Sequence, residues 1–344
     1  MKRLLIIKDF RNWFWSTYPN WTNAVSLNVK YMKDFLEQQG FQVEITSYNH
    51  FDYQKNYADY FVIYSSSEDY CGGTKNFMED VLLHLKVQGA KLLPDFQYFR
   101  AHDNKVMMEI LRYSFKTEDL KSIKSQVWAS MEEMLEQGQF HYPVVIKRAN
   151  GAGGEGVFLA YNKKELVKYA EKVSRLTDKK MFEYLSMVNI KQKLIRQSPV
   201  KIHNTKFITQ NYIKNLKGDY KVLVFGENYF VLHRLNRKND FRASGSGNFE
   251  REEQEAVIPI LDYARLCKTE IKSPWLSLDI CKDEEKCYLI EFQCIFFGFK
   301  AMSLAEHYYT REGDSWVKIE GKVVPEEQFC KGLISFLAMD GEDA

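Results

Sequence analysis

The sequence predicts an α/β and α+β chain, a parallel-sheet domain first and then two regions built on antiparallel hairpins. Three observations predict it. Over residues 1–100, short apolar runs alternate with amphipathic helical patterns, as in parallel strands joined by helices. His141–Tyr161, HYPVVIKRANGAGGEGVFLAY, reads as strand, glycine loop, strand. Gly218–Arg234 reads as a hairpin, and Trp275–Cys281 and Cys287–Gln293 as two adjacent antiparallel strands.

Lys2–Asp9 (KRLLIIKD) is a buried strand. Ala24–Gln39 is predicted as a helix with Val25, Val29, Met32 and Leu36 on one face and Gly40 as its stop. Phe41–Thr46 alternates as a second strand and Tyr60–Ser65 (YFVIYS) makes a third. Phe77–Gln88 is a second helix, and Lys91–Leu93 a short fourth strand that Pro94 ends. Loops after the carboxyl ends of parallel strands line the ligand crevice of such sheets. Trp13, Trp15, Tyr18 and Trp21 in the loop Phe10–Asn23 are therefore candidates for a substrate wall, with packing of the loop onto its own domain at least an equal alternative.

His102–Arg112 begins a helix capped by Asp103 or Asn104. Lys105 falls in its first turn, where the helix dipole disfavours a cation, so it is either solvated or placed there for another reason. Glu118–Gln137 is predicted as a further helix. The β-branched run Val144–Ile146 then delivers Lys147. Four of the seven residues in Asn150–Gly156 are glycine (Gly151, Gly153, Gly154, Gly156), so the backbone can take positive φ and expose several N–H groups to an anion. Asn162 with Glu165 is a capping-box variant that starts a helix running towards Leu176. Asp178–Thr205 is basic and weakly patterned, a helical insertion or a loop. Lys206–Ile213 (KFITQNYI) is a strand carrying Gln210.

The hairpin Gly218–Arg234 turns at Gly226-Glu227-Asn228. Arg234, Arg237 and Arg242 lie close in sequence beside a Gly/Ser loop, a placement suited to neutralising a phosphate and holding an acidic substrate. Trp275–Cys281 (WLSLDIC) and Cys287–Gln293 (CYLIEFQ) flank a charged turn, Lys282–Lys286. Alternation puts Glu291 and Gln293 on one face, and Asp279 can face them from the neighbouring strand. A carboxylate on so apolar a strand is costly unless paired or metal-bound. Mg²⁺ needs only one or two carboxylates and a further oxygen donor beside its waters and substrate phosphates.

The flanks of the glycine loop decide between familiar phosphate motifs. Gly151, Gly153 and Gly156 fit G-x-G-x-x-G, yet a strand follows where the dinucleotide fingerprint needs a helix. Gly151 and Gly156 have P-loop spacing, yet Val157 and Phe158 stand where Lys and Ser/Thr belong. A kinase loop has the hairpin topology, yet no H-R-D or D-F-G follows in the needed order. A plain surface hairpin is the bland alternative. Taken together, Lys105, Lys147, the glycine loop, Gln210, Asp219-Tyr220-Lys221, Arg242, Asp279 and Glu291 resemble, in order and over most of the chain, the ATP-grasp superfamily. The G-D-Y-K strand, a return strand ending in Arg234 and the Phe241-Arg242 segment are similar to the ribosomal-protein glutamate ligases.

The resemblance implies an N-terminal pre-ATP-grasp domain (1–100), a central ATP-grasp subdomain with the glycine hairpin (101–205) and a C-terminal subdomain with the metal site (206–344). It implies Mg-ATP gripped between the last two, with Mn²⁺ as the other candidate metal. Lys105, Lys147 and the loop glycines reach phosphate, and Gln210 with the backbone of Tyr212 and Ile213 holds adenine. Asp219 completes the nucleotide site, and Lys221, Arg234 and Arg242 act in transfer. Asp279, Glu291 and Gln293 bind the metal. Two positions depart from the family pattern. Lys221 stands where relatives often have Arg, which keeps the charge but loses the bidentate fork, and Gln293 stands where the final triplet usually has Asn. The implied reaction makes an acyl phosphate from a small-molecule or sugar-linked carboxylate for attack by an amine or similar nucleophile. A kinase that stops at a phosphorylated product and a nucleotide-binding module without turnover are the alternatives.

Composition narrows the partners. A net charge of +2 over 344 residues gives no electrostatic case for nucleic acid or an anionic membrane. No apolar run approaches a membrane span, and Leu4–Ile7 after Lys2-Arg3 is too short for a signal peptide, so a cytoplasmic protein is expected. Six cysteines without C-x-x-C spacing read as free thiols; Cys281 and Cys287 lack a second pair that would make a zinc site.

Overall fold

The computed structural model describes residues 2–17, 25–66, 73–151, 153–154, 156–175, 179–195, 205–238, 240–243, 245, 247–250 and 253–339. Its contacts cluster into two units, Met1–His102 with Lys217–Ala344, and Asp103–Leu216.

The first unit opens with β1 (Lys2–Lys8), whose Leu4–Ile7 are buried, and a small antiparallel pair, β2 (Ser16–Thr17) and β3 (Val25–Ser26). Helix α1 (Val29–Gln38) starts later than its apolar spacing predicts. The Asn28 side chain caps it by accepting from the Tyr31 backbone N–H, and Val25 belongs to β3 instead. There follow β4 (Phe41–Ser47), β5 (Tyr60–Tyr64), α2 (Gly73–Val87), β6 (Lys91–Leu93) and α3 (Phe96–Ala101). The four longer strands form a parallel sheet in the order β4-β1-β5-β6, as the alternation of patterns requires.

Trp15 is not a substrate wall. It is fully buried, donates its indole N–H to the Phe297 carbonyl at 2.9 Å, and meets Trp275, Phe297 and Phe329 edge-on. Core packing wins here because the loop closes over a cluster of aromatics from the far end of the chain. Trp13 is half-buried with the Arg11 guanidinium 4.6 Å from its ring, while Tyr18 and Trp21 lie outside the described residues.

The second unit contains α4 (Lys105–Tyr113), β7 (Ser125–Trp128), α5 (Met131–Gln137), β8 (Val144–Arg148), β9 (Val157–Ala160), α6 (Lys163–Ser174), α7 (Lys179–Leu194) and β10 (Phe207–Asn211). Its sheet is antiparallel, ordered β7-β10-β8-β9. The helix expected over Glu118–Gln137 is in fact a 3-10 turn (Glu118–Lys121), strand β7 and helix α5. β7 exists because Val127 and Trp128 pair with Ile208 and Phe207, and the Trp128 indole donates to Thr209 Oγ1 at 2.9 Å. Ser130 then starts α5 by accepting from the Glu133 N–H. The expected boundary at 205/206 falls before β10, whose partners β7 and β8 set it in this unit, which runs to Leu216.

Alternation splits this sheet. Trp128, Val144, Ile146 and Phe207 form a core with Leu166, Ala170 and Val173 of α6. Lys147, its neighbour Ile208, and Gln210 take the other face.

The chain then returns to the first unit with β11 (Gly218–Phe225), β12 (Asn228–Leu235), β13 (Phe249–Glu250), α8 (Gln254–Glu270), β14 (Trp275–Lys282), β15 (Cys287–Gln293), α9 (Lys300–Ala305), β16 (His307–Glu312), β17 (Ser315–Glu320) and α10 (Pro325–Met339). The antiparallel order is β15-β14-β11-β12-β16-β17, with β13 on β12. The β11–β12 turn needs glycine at 226: φ is +59°, and a Cβ there would come within 3.1 Å of Ser335 Cβ on α10. Along one face of β11, Leu223 and Phe225 enter the apolar core beside Phe329 and Leu333 of α10, whereas Asp219 and Lys221 at the other end are charged. No helix among the described residues is long and apolar enough to cross a membrane.

Candidate functional site

The expected site residues divide between the two units, and each set is built differently. In the second unit, α4 carries Lys105 and Glu109 one turn apart, so both lie on one helix face. Asn104, not Asp103, is the N-cap, accepting from the Met107 N–H. This frees Asp103, held at φ +50°, to accept from the Gly151 N–H at 2.5 Å. Lys105 is 7% exposed; its Nζ donates to the Gly151 carbonyl at 2.8 Å and its backbone N–H to the Ala149 carbonyl at 2.7 Å. The cation in the first turn is therefore tied to the start of the glycine loop, which resolves its odd placement against the dipole.

All four expected glycines take positive φ: Gly151 +104°, Gly153 +65°, Gly154 +77° and Gly156 +72°. The hairpin is closed by the Arg148 N–H donating to the Gly156 carbonyl at 2.9 Å. Lys147, 8% exposed, pairs with Val157 across the hairpin and with Ile208 of β10. Gln210 shares its sheet face and is 3% exposed. The Gln210 amide nitrogen donates to Glu109 Oε1 at 2.9 Å, whose Oε2 accepts from Ser125 Oγ at 2.5 Å and lies 3.2 Å from Arg112 Nε. Tyr212 and Ile213 follow β10 as half-buried irregular backbone.

Glu109 was not foreseen. The signal was present: a carboxylate among Met108, Leu111 and Arg112 on the buried face of an amphipathic helix is costly unless paired. It is the criterion that singled out Glu291.

In the first unit, β11, β12 and β14 bring Asp219, Lys221, Arg234 and Asp279 together. Arg234 forks onto Asp219, Nε to Oδ1 at 2.6 Å and Nη2 to Oδ2 at 2.8 Å, and its Nη2 also lies 3.0 Å from Asp279 Oδ2. Lys221 Nζ meets the remaining Asp279 oxygen at 2.8 Å. Two carboxylates and two cations thus cancel inside a half-buried patch. Burial pushes the Asp219 carboxyl up and the neighbouring Asp279 charge pushes it further, with Arg234 pulling back. Asp279 is buried too, but Arg234 and Lys221 outweigh that and hold it well below the usual carboxylate range. The Arg234 guanidinium, although buried, is held firmly charged by the same two aspartates.

Glu291 stands directly across from Asp279 in the β14–β15 register, which shifts at Asp279/Ile280, and Gln293 stands across from Ser277. Gln293 Nε2 donates to Glu291 Oε1 at 3.3 Å, leaving the Gln293 carbonyl oxygen outside that bond. Glu291 and Gln293 are oxygen donors of the kind Mg²⁺ takes, whereas both Asp279 oxygens are committed to cations. Among the described residues no group of three or more His, Cys, Asp or Glu gathers as a metal cluster. Arg242 is held in its own loop by Asp240 at 2.6 Å. Tyr220 and His233 stack across β11 and β12, with ring centroids 4.4 Å apart.

A family model described as the RimK-like ATP-grasp domain matches residues 103–292. The chain is similar in fold to the D-alanine–D-alanine ligase of Bacillus anthracis, with 14% identity, 100% of each chain covered and a TM-score of 0.52. It also matches a RimK domain ATP-grasp protein from Sphaerobacter thermophilus DSM 20745, with 9% identity, 88% of this chain and 93% of that chain covered, and a TM-score of 0.46. No curated protein matches the chain in sequence.

Proposed function

The chain belongs to the RimK-like ATP-grasp family, and we propose that it is an ATP-dependent ligase. It activates a small-molecule or sugar-linked carboxylate as an acyl phosphate, which an amine or similar nucleophile attacks. The observation that carries this reading is one face of the second unit's sheet. It gathers Lys147 and Gln210, with Lys105 tied to a hairpin whose four glycines all take positive φ. Lys105, Lys147 and the loop N–H groups bind phosphates, while Gln210 and the backbone at Tyr212 and Ile213 orient adenine. Asp219 positions Arg234 through its fork, and Lys221, Arg234 and Arg242 neutralise the transferring phosphoryl group. Glu291 and Gln293 would hold Mg²⁺, joined by Asp279 once it gives up Lys221 or Arg234, and the ion when bound would offset phosphate charge.

In this reaction a carboxylate oxygen attacks the γ-phosphorus and ADP leaves. The nucleophile then attacks the acyl carbon and inorganic phosphate leaves. Both steps depend on positioning and charge neutralisation, so no protein nucleophile is required. The test is ADP release from Mg-ATP with pooled small carboxylates and hydroxylamine as a generic nucleophile. ADP with hydroxamate supports the ligase. ADP without hydroxamate moves the reading to a kinase or a sheltered intermediate, and neither product leaves an unsampled substrate or a nucleotide-binding module.

A further inference from the structure

Gln210 is the sole neutral polar side chain among the proposed nucleotide contacts of the second unit, and its orientation is not left to chance. Its amide nitrogen faces Glu109 Oε1 at 2.9 Å, both side chains being almost fully buried. A carboxylate paired with a guanidinium only accepts, so the amide end that faces it has to be the NH₂. Arg112 at 3.2 Å and the Ser125 hydroxyl at 2.5 Å hold the Glu109 carboxylate in place. A flipped amide would set two acceptor oxygens against each other inside the protein, the arrangement buried polar groups avoid. The Gln210 oxygen is therefore the end left for a ligand.

We infer that Glu109 is a specificity-determining positioning residue: by fixing Gln210 with its oxygen outward, it makes the site read a hydrogen-bond donor on the base, and so select a 6-amino purine over a 6-oxo purine. The inference rests on the reading of this unit as the nucleotide site. The chain of command runs from Arg112 and Ser125 to Glu109, from Glu109 to Gln210, and from Gln210 to the base. Lys105 sits one turn before Glu109 on the same helix, so α4 places a phosphate cation and the base-reading device together. Glu109 itself touches no nucleotide.

The experiment is calorimetric binding of Mg-ATP and Mg-ITP to the full chain, wild type and Glu109→Gln. ITP differs in presenting an acceptor where ATP presents a donor. Wild type should bind ITP at least about tenfold more weakly, the effect of opposing two acceptors in a buried site. In Glu109→Gln the new amide can donate or accept, Gln210 is free to turn, and the ATP/ITP ratio should fall to within about threefold, roughly the loss of one such bond. The exchanged pair, Glu109→Gln with Gln210→Glu, again presents an acceptor-only group to the base and should restore preference for ATP. A role in folding alone would not move the ratio. Should the single variant fail to fold, wild type with N6,N6-dimethyl-ATP, which has no donor, still decides: binding as tight as ATP overturns the inference. Equal wild-type affinity for ATP and ITP, or an unchanged ratio in folded Glu109→Gln, overturns it while leaving the nucleotide site standing. No ATP binding by wild type overturns the site reading and this inference with it.

Discussion

The polar face of the second unit's sheet and the charged patch of the first unit hold their functional groups by opposite means. In the second unit Lys105 leans on a backbone carbonyl and Gln210 is steered by a side chain from a neighbouring helix. In the first unit Asp219, Lys221, Arg234 and Asp279 satisfy one another. A neutral carbonyl orients a cation without cancelling its charge. A closed set of ion pairs must exchange partners before any member acts on phosphate or metal. Substitutions in the second unit should therefore cost function first, and those in the first unit stability first.

The sharpest contrast is between Lys147→Ala and Arg234→Ala. Lys147→Ala should lower ATP-dependent ADP release by about 10³-fold, as removal of one preorganised charge contact does. Its circular dichroism and urea midpoint should stay close to wild type. Arg234→Ala leaves the Asp219 and Asp279 carboxylates buried without their shared guanidinium, and should cost about 3–5 kcal/mol in urea unfolding. A Lys147 variant that unfolds, or an Arg234 variant as stable as wild type, would break the comparison.

Acid sharpens it further, because the first unit also buries His102. Burial, aided by the nearby Lys75 cation, holds this imidazole down at about 3, and its ring meets Ser66 Oγ at 3.1 Å. The unfolded imidazole titrates near 6.5. Between those values the unfolded chain binds a proton that the folded chain refuses, so stability is full above about pH 6.5 and falls as pH drops. At pH 5 the loss from this group is about 2 kcal/mol. Replacing it, His102→Gln, should flatten that part of the pH dependence between pH 7 and 5. An unchanged slope would show that the loss lies elsewhere.

Much of the scaffold was legible because it is local. The apolar run of β1, the β-branched approach to Lys147, the Asn162 cap with Glu165 and the Asp279–Glu291 facing pair each follow from spacing within one or two elements. What escaped was long-range. β7 is four residues whose partner β10 lies some eighty residues later, and without it the segment fits a helical period. For Trp15 the sequence leaves ligand wall and loop packing both open, because its cover, Trp275 to Phe329, comes from the other end of the chain. The Glu109–Gln210 bond likewise spans 101 positions. The mutual ion pairing of Arg234 with Asp219 and Asp279 depends on a strand order, β14-β11-β12, that no single segment encodes.

The smallest predicted effect separates conformational cost from steric cost within the glycine hairpin. At Gly153 a Cβ meets nothing within 4 Å, so Gly153→Ala is opposed only by its φ of +65°. An alanine held in that region costs roughly 1–2 kcal/mol. At Gly156 φ is +72°, and a Cβ would also come within 2.9 Å of Arg148 Cβ. Arg148 cannot retreat cheaply, since its N–H donates to the Gly156 carbonyl and its Nη2 donates to the Lys172 carbonyl at 3.1 Å. Gly156→Ala should therefore weaken Mg-ATP binding more than Gly153→Ala, with Gly153→Ala raising Kd by about 5–30-fold if the loop must hold its present shape to bind. If Gly153→Ala binds like wild type, positive φ at that residue is not required for binding. Phosphate would then be held by Lys105, Lys147 and the remaining N–H groups. If the two variants lose equally, the close approach to Arg148 is relieved by movement of the hairpin, and the backbone half of the comparison is softer than the ion-paired half.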